Sequence, residues 1–351
     1  MKNYANSNIQ AMSSYNPPLE NRRAYDGVLL DFNERSIPVS RKVQKALESF
    51  VAENTIQIYP EYGDICDRIA RYAGVEKDQV MITNGSDQGI DIVFRAFTKE
   101  GDRVIVPSPS FAMYYQSAEI VGNEILMPEY AEDLSFPTDE VLELMNETIK
   151  LVVLCNPNNP TGTLISSGDV EEILEKAFRY DIVVYIDEAY FEFSGVSAVN
   201  LIEKYPNLVI TRTFSKAFGL GSLRIGYVLS QKANLEEMTK VRGPYDINMA
   251  AVVAAKAALE DLEDMEGYVE EVMNEAKPMV ERFFEENGFR YFPSWANLVL
   301  FRPDDQEKTF EKLKTNGFLT RPRKGANIDG TIRLSIGTVE QMKEFINIYK
   351  S

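Results

Sequence analysis

The chain has 351 residues, a length that suggests about two domains, and its 44% apolar content is enough for a large core. Fifty-four acidic and 37 basic residues leave a formal net charge of −17, which repels phosphate backbones and disfavours nucleic-acid binding. There is no histidine. That excludes Ser-His-Asp and Cys-His catalysis and histidine-based metal sites, so proton transfer falls to Lys, Asp, Glu, Tyr, Cys or a cofactor.

Cys66 and Cys155 lie far apart and form no CxxC pattern. Neither a disulfide framework nor a metal site is expected, and a reducing compartment is. The first residues are polar, and no run approaches the roughly 20 apolar residues of a membrane span. The expectation is a cytoplasmic protein with no membrane partner.

In chain order, residues 1–35 form an N-terminal segment without a clear pattern. From about 77 to 230, short Val- and Ile-rich runs alternate with amphipathic stretches. QVMITNG (79–85), DRVIVPS (102–108), KLVVLCN (150–156), IVVYIDEAY (182–190), LVITRTF (208–214) and RIGYVLS (224–230) read as strands buried on both faces, the pattern of a parallel sheet. Between them, SDQGIDIVFRAF places Ile90, Val93, Phe94 and Phe97 on one helical face, and SSGDVEEILEKAF does so with Val170, Ile173, Leu174 and Ala177 behind serine caps. Residues 232–287 read as long helices broken near Gly243-Pro244. Strand, helix, two strands and a last helix follow. The prediction is α/β: a large domain over 36–243 with a mainly parallel sheet flanked by helices, and a smaller α+β domain over 244–351.

Gly219 and Gly221 supply the first two glycines of a GxGxxG dinucleotide fingerprint, but residue 224 is Arg and the match fails. The strand ends are more informative. NGSD, NPNNPTG, DEAY and SK each follow a candidate strand, so four polar clusters converge on one rim of the sheet, where α/β folds place their sites. One such cluster alone reads as a turn. Four together supply an amine (Lys216), a carboxylate (Asp187) and an anion cup at a helix N-terminus (Gly85, Ser86, Asp87), with Ser215 and Arg224 to complete it. This set fits pyridoxal phosphate, which needs a lysine for its aldehyde, a carboxylate for its ring nitrogen and a cup for its phosphate.

With NGSD, NPNNPTG, YIDEAY and SKAFGLGSLRIG in this order and spacing, the chain resembles the fold-type-I pyridoxal-phosphate aminotransferases of class I/II, and within them the histidinol-phosphate aminotransferases. The likeness runs from PPLENRR through RLSIGT. It implies Lys216 as the Schiff-base lysine and proton shuttle, and Asp187 as partner of the pyridine nitrogen. Tyr190 and Asn159 would bond the ring's phenolic oxygen, and Phe111 would stack on the ring. Tyr59, in IQIYPEYG, would reach the phosphate of a neighbouring subunit, which implies a homodimer. Arg333 would clamp a substrate carboxylate. Arg321, with Arg323 a weaker candidate, would take a substrate phosphate, and Asn33 and Glu34 fall in the substrate segment. NERSIPVS replaces a more usual NENP-like run and puts side-chain specificity in question. The implied reaction exchanges an amino donor with a 2-oxo acid, with histidinol phosphate and 2-oxoglutarate as the first expectation. An aromatic aminotransferase and a decarboxylase of a phosphorylated amino acid are the alternatives.

Overall fold

The computed structural model describes residues 4–14, 17–19 and 21–350; Met1–Asn3, Tyr15, Asn16 and Glu20 of the N-terminal segment, and Ser351, lie outside the described residues. Its centre is a seven-stranded sheet. Across the sheet the strands run Val80–Thr83, Gly226–Ser230, Leu208–Thr213, Val183–Asp187, Ile149–Cys155, Arg103–Ile105 and Glu124–Leu126. Gly226–Ser230 is antiparallel to both neighbours, and the remaining pairs are parallel.

The unbroken apolar runs have a direct cause. Val152, Leu154, Val184, Ile186, Leu208 and Ile210 enter one core, while Leu151, Val153, Tyr185 and Val209 enter a second core on the other face. Each fully buried aliphatic side chain contributes about 1.5–3 kcal/mol, so both faces must be covered. Helix Gly85–Phe97 covers one face with buried Ile90, Val93 and Phe94. Helix Ser167–Arg179 covers the other with Val170, Ile173, Leu174 and Ala177, and Ser166 caps it by accepting from Asp169 N at 3.1 Å. The strand Glu124–Leu126 has no counterpart among the sequence-predicted strands. It is a three-residue edge strand with an exposed and two half-buried positions, so it lacks the continuous apolar run that marks the others.

A second, antiparallel sheet of four strands runs Arg321–Pro322, Ile332–Ser335, Leu298–Arg302, Arg290–Phe292. Helices Gln306–Thr315 and Val339–Lys350 accompany it. Helix Met249–Leu259, on the C-terminal side of the 243/244 division, packs instead against Arg41–Ala52 and Ile65–Ala73. Its Ala251, Ala254, Ala255 and Ala258 are buried, and small side chains let helices approach closely.

The N-terminal segment acquires its structure from the far end of the chain. Val28–Leu29 pairs in parallel with Phe318–Leu319, and Ser335 N donates to Leu30 O at 3.0 Å. Gly27 sits so close to Gly317 O that a Cβ there would collide with it. Residues 28–36 are thus stitched to the second sheet and face the first. Among the described residues no helix is long and apolar enough to cross a membrane.

Candidate active site

The strand-end clusters meet at the C-terminal rim of the seven-stranded sheet, as their spacing predicts. At one end, strand Val80–Thr83 feeds helix Gly85–Phe97. Gly85 has φ 75°, and a Cβ on it would lie 2.6 Å from Arg224 Nη2. The same Arg224 nitrogen donates to Asp87 Oδ2 at 2.8 Å, and Nη1 donates to Gly221 O at 2.9 Å and to Ser215 Oγ at 3.4 Å. The N–H groups of a helix's first turn have no partner within the helix and carry its positive dipole end. Gly85, Ser86, Asp87, Ser215 and Arg224 thus stand together at this helix start and could hold an anion.

Deeper in, Asp187 ends strand Val183–Asp187 and is 2% exposed. Its Oδ2 accepts from Tyr114 Oη at 2.8 Å and its Oδ1 from Ala189 N at 3.0 Å. Burial pushes its carboxyl up to about 6, against the lowering effect of the Tyr114 bond. No cation pairs with Asp187 among the described residues. A buried carboxylate in that state is stabilised by a positively charged ring N–H.

The third part is a chain of contacts around Lys216. Its Nζ donates to Phe32 O at 2.8 Å and lies 5.6 Å from the centre of the Tyr190 ring. Burial, then the nearby Arg333, lower its amine to about 8. Tyr190 Oη accepts from Asn33 Nδ2 at 2.9 Å, and burial raises its phenol to about 12. Arg333 Nη1 donates to Asn159 Oδ1 at 2.5 Å and Nη2 to Asp31 O. Arg333 Nε is buried without a hydrogen-bond partner among the described residues. Burial brings this guanidinium down to about 10, opposed by Tyr190 and reinforced by Arg323 and Arg321.

Lys216, Asp187, Tyr190, Asn159, Asn33 and Arg333 are therefore brought together. Phe111 stands at the N-terminus of helix Ala112–Val121, with its ring edge-to-face on Tyr114 at 5.7 Å. Arg321 lies over the Phe32 ring at 5.6 Å, and Glu34 is bonded to Arg22. Tyr59 is not part of this cluster: it is 75% exposed and lies against Tyr245 at 4.7 Å between ring centres.

Arg35, which with Ser36 departs from the NENP-like pattern, finds its partners outside this cluster. It pairs with Asp264 at 2.8 Å, covers the Tyr268 ring at 4.8 Å and donates to Ala217 O at 3.3 Å. Sequence reasoning missed Tyr114, Ser335 and Arg22. Tyr114 follows Phe111 by one helical turn in PSPSFAMYY. Ser335 shares a strand face with Arg333, and it joins Asn33 twice, accepting from its N at 2.9 Å and donating to its Oδ1 at 2.8 Å.

Residues 26–348 match the family described as aminotransferase class I and II. The chain belongs to this family of pyridoxal-phosphate-dependent aminotransferases, whose reaction takes an amino donor and a 2-oxo acid. It is 35% identical over 332 residues to histidinol-phosphate aminotransferase 2 of Carboxydothermus hydrogenoformans, covering 91% of this chain and 89% of that protein. It is 32% identical over 323 residues to the histidinol-phosphate aminotransferase of Thermoanaerobacter sp. (strain X514), with 91% of each covered. Its fold is that of the Sinorhizobium meliloti histidinol-phosphate aminotransferase, a structure in complex with pyridoxal-5'-phosphate (TM-score 0.89, 21% identity, covering 100% of this chain and 98% of that one).

The residues present fit this cofactor. The cup offers first-turn N–H groups and Arg224 to its phosphate, the uncompensated Asp187 suits a protonated ring nitrogen, and Lys216 offers an amine of lowered basicity to its aldehyde.

Proposed function

We propose that this chain is a homodimer that binds pyridoxal phosphate and transaminates L-histidinol phosphate with 2-oxoglutarate. The observation that carries the reading is the position of Arg321 beside Arg333. Both stand at the 31–34 segment, and neither has a carboxylate partner among the described residues. Two guanidinium groups there suit a site that must accept a phosphate monoester in one half-reaction and a dicarboxylate in the other. The two relatives described above, both over 30% identical, are named for the same activity.

When bound, pyridoxal phosphate supplies an electron-accepting ring that stabilises the negative charge left when the substrate Cα loses its proton. The chain's residues do the rest. Asp187, held by Tyr114 and Ala189, keeps a proton on the ring nitrogen. Lys216 Nζ, neutral in an appreciable fraction near pH 8, takes the Cα proton and returns it on the far side of the exchange. Phe111 offers a ring face for stacking, and Asn159 and Tyr190 offer polar groups to the ring's phenolic oxygen. Tyr59, too exposed to serve its own site, completes the cup of a second copy.

The test mixes holoenzyme with L-histidinol phosphate and no oxo acid. The cofactor's absorption band should shift to the pyridoxamine form within the dead time of slow mixing, and Lys216→Ala should abolish the shift. A spectrum unchanged by histidinol phosphate but shifted by tyrosine or phenylalanine sinks the substrate assignment in favour of an aromatic aminotransferase. Release of carbon dioxide from a phosphorylated amino acid replaces it with a decarboxylase.

A further inference from the structure

Arg22 pairs with two site-wall carboxylates at once, Asp31 and Glu34. It opens a short turn, Arg22–Ala24, and its side chain is 11% exposed. Nε donates to both oxygens of Asp31, at 3.1 and 3.0 Å, and Nη2 reaches Oδ1 at 2.6 Å. Nη1 donates to Glu34 Oε1 at 3.2 Å, and Nη2 also reaches Oε2. The guanidinium lies 4.6 Å from the centre of the Phe32 ring, the ring that Arg321 approaches to 5.6 Å.

The two carboxylates bracket the backbone that holds the site together. Along it, Asp31 O accepts from Arg333, Phe32 O accepts from Lys216, and Asn33 Nδ2 donates to Tyr190 Oη. Asp31 is close enough to act on Arg333, and Glu34 on Lys216. Without a cation on them, both carboxylates would compete with anionic ligands for these same groups.

We propose that Arg22 is a specificity-determining positioning residue: it sequesters Asp31 and Glu34 so that Arg321 and Arg333 remain available to the anionic ends of the substrates. This rests on the reading of the site as one for anionic substrates. The groups acting on Lys216 are Arg333 and Arg224, which disfavour its cation, and Glu34 and Asp87, which favour it. Uncovering Glu34 therefore favours the cationic lysine, and it repels a bound anion.

The experiment uses holoenzyme and two probes, inorganic phosphate and succinate, titrated by their effect on the cofactor band, together with the pH midpoint of that band. Arg22→Met should weaken both anions about tenfold and move the midpoint to higher pH. Arg22→Lys should stay near the parent in both. Arg22→Met/Glu34→Gln should recover most of the lost affinity and bring the midpoint back. Unchanged anion affinity and midpoint in Arg22→Met overturn the proposal. So does a double variant as impaired as the single one, since a purely structural brace is not repaired by removing a charge. Both probes work without turnover, so a failure to transaminate histidinol phosphate would be seen separately.

Discussion

The phenolic hydroxyl of Tyr114 donates to Asp187 Oδ2 at 2.8 Å, with both groups buried beneath the sheet rim. This bond stabilises the ionised carboxylate that burial alone disfavours. Tyr114→Phe keeps the ring against Phe111 and Tyr185 and removes only the donor. We expect kcat to fall about tenfold, the scale of one charge-assisted hydrogen bond of about 1.5 kcal/mol. The ¹⁵N resonance of the labelled cofactor's ring nitrogen should shift. Tyr205→Phe, which removes a hydroxyl that reaches Glu171 at 3.3 Å, serves as the control and should leave that resonance in place.

Asp187 also has a stability cost in the cofactor-free protein. Its carboxyl rises from near 3.8 to about 6, so the folded state penalises the charged form. The penalty is absent below about pH 4, grows through pH 6 and is complete above it. About 2 pK units correspond to about 3 kcal/mol. Cofactor-free Asp187→Asn should therefore be the more stable protein at pH 8, by about 2–3 kcal/mol, with the difference vanishing near pH 4. Urea unfolding at the two pH values measures it. An equal difference at both would show that ionisation of Asp187 is not its source.

Arg333 donates to Asn159 and its charge lowers the basicity of Lys216, and the proposed function gives it a carboxylate of the 2-oxo acid. Arg333→Gln should raise KM for the 2-oxo acid about 10- to 100-fold, the loss of one bidentate contact worth about 1.5–3 kcal/mol. The same change removes a neighbouring positive charge, so the lysine's pKa should rise toward that of an ordinary lysine. The acid limb of the rate profile should move to higher pH with it. A KM effect without the pH movement would leave Arg333 as a substrate clamp only.

Tyr59 offers a test of the dimer. Lys216→Ala and Tyr59→Ala should each be impaired alone. Mixed and allowed to exchange, half the dimers are hybrids with one intact site each, so about a quarter of parental activity should return. If activity stays at the level of the separate variants, Tyr59 does not act across an interface.

Much of this was legible in the linear sequence because it depends on local patterns. Strands such as Ile149–Cys155 announce themselves by apolar runs, since both faces of the sheet are covered. The order of strands and helices places NGSD, NPNNPTG, DEAY and SK at one rim, which is a consequence of parallel topology rather than of any single residue. Edge strand Glu124–Leu126 escaped because one exposed and two half-buried residues have no such pattern.

The sequence by itself determined the α/β class and pointed to Lys216, Asp187 and residues 85–87 as candidates, because these are encoded by residue type and spacing within one strand and its following loop. The resemblance put Asn33 and Glu34 in a substrate segment, but only the tertiary structure showed what holds residues 28–36 beside Lys216 and Arg333. Their pairing with 318–319 and with Ser335 spans some 290–300 positions of chain, and no local propensity reports a contact of that range. For the same reason it alone showed that Arg35 faces Asp264 and Tyr268 instead of substrate, and that Arg22 holds Asp31 and Glu34. A charged side chain in a sequence is a surface residue by default. What made these arginines something else was the burial and the opposite charges that folding brought to them.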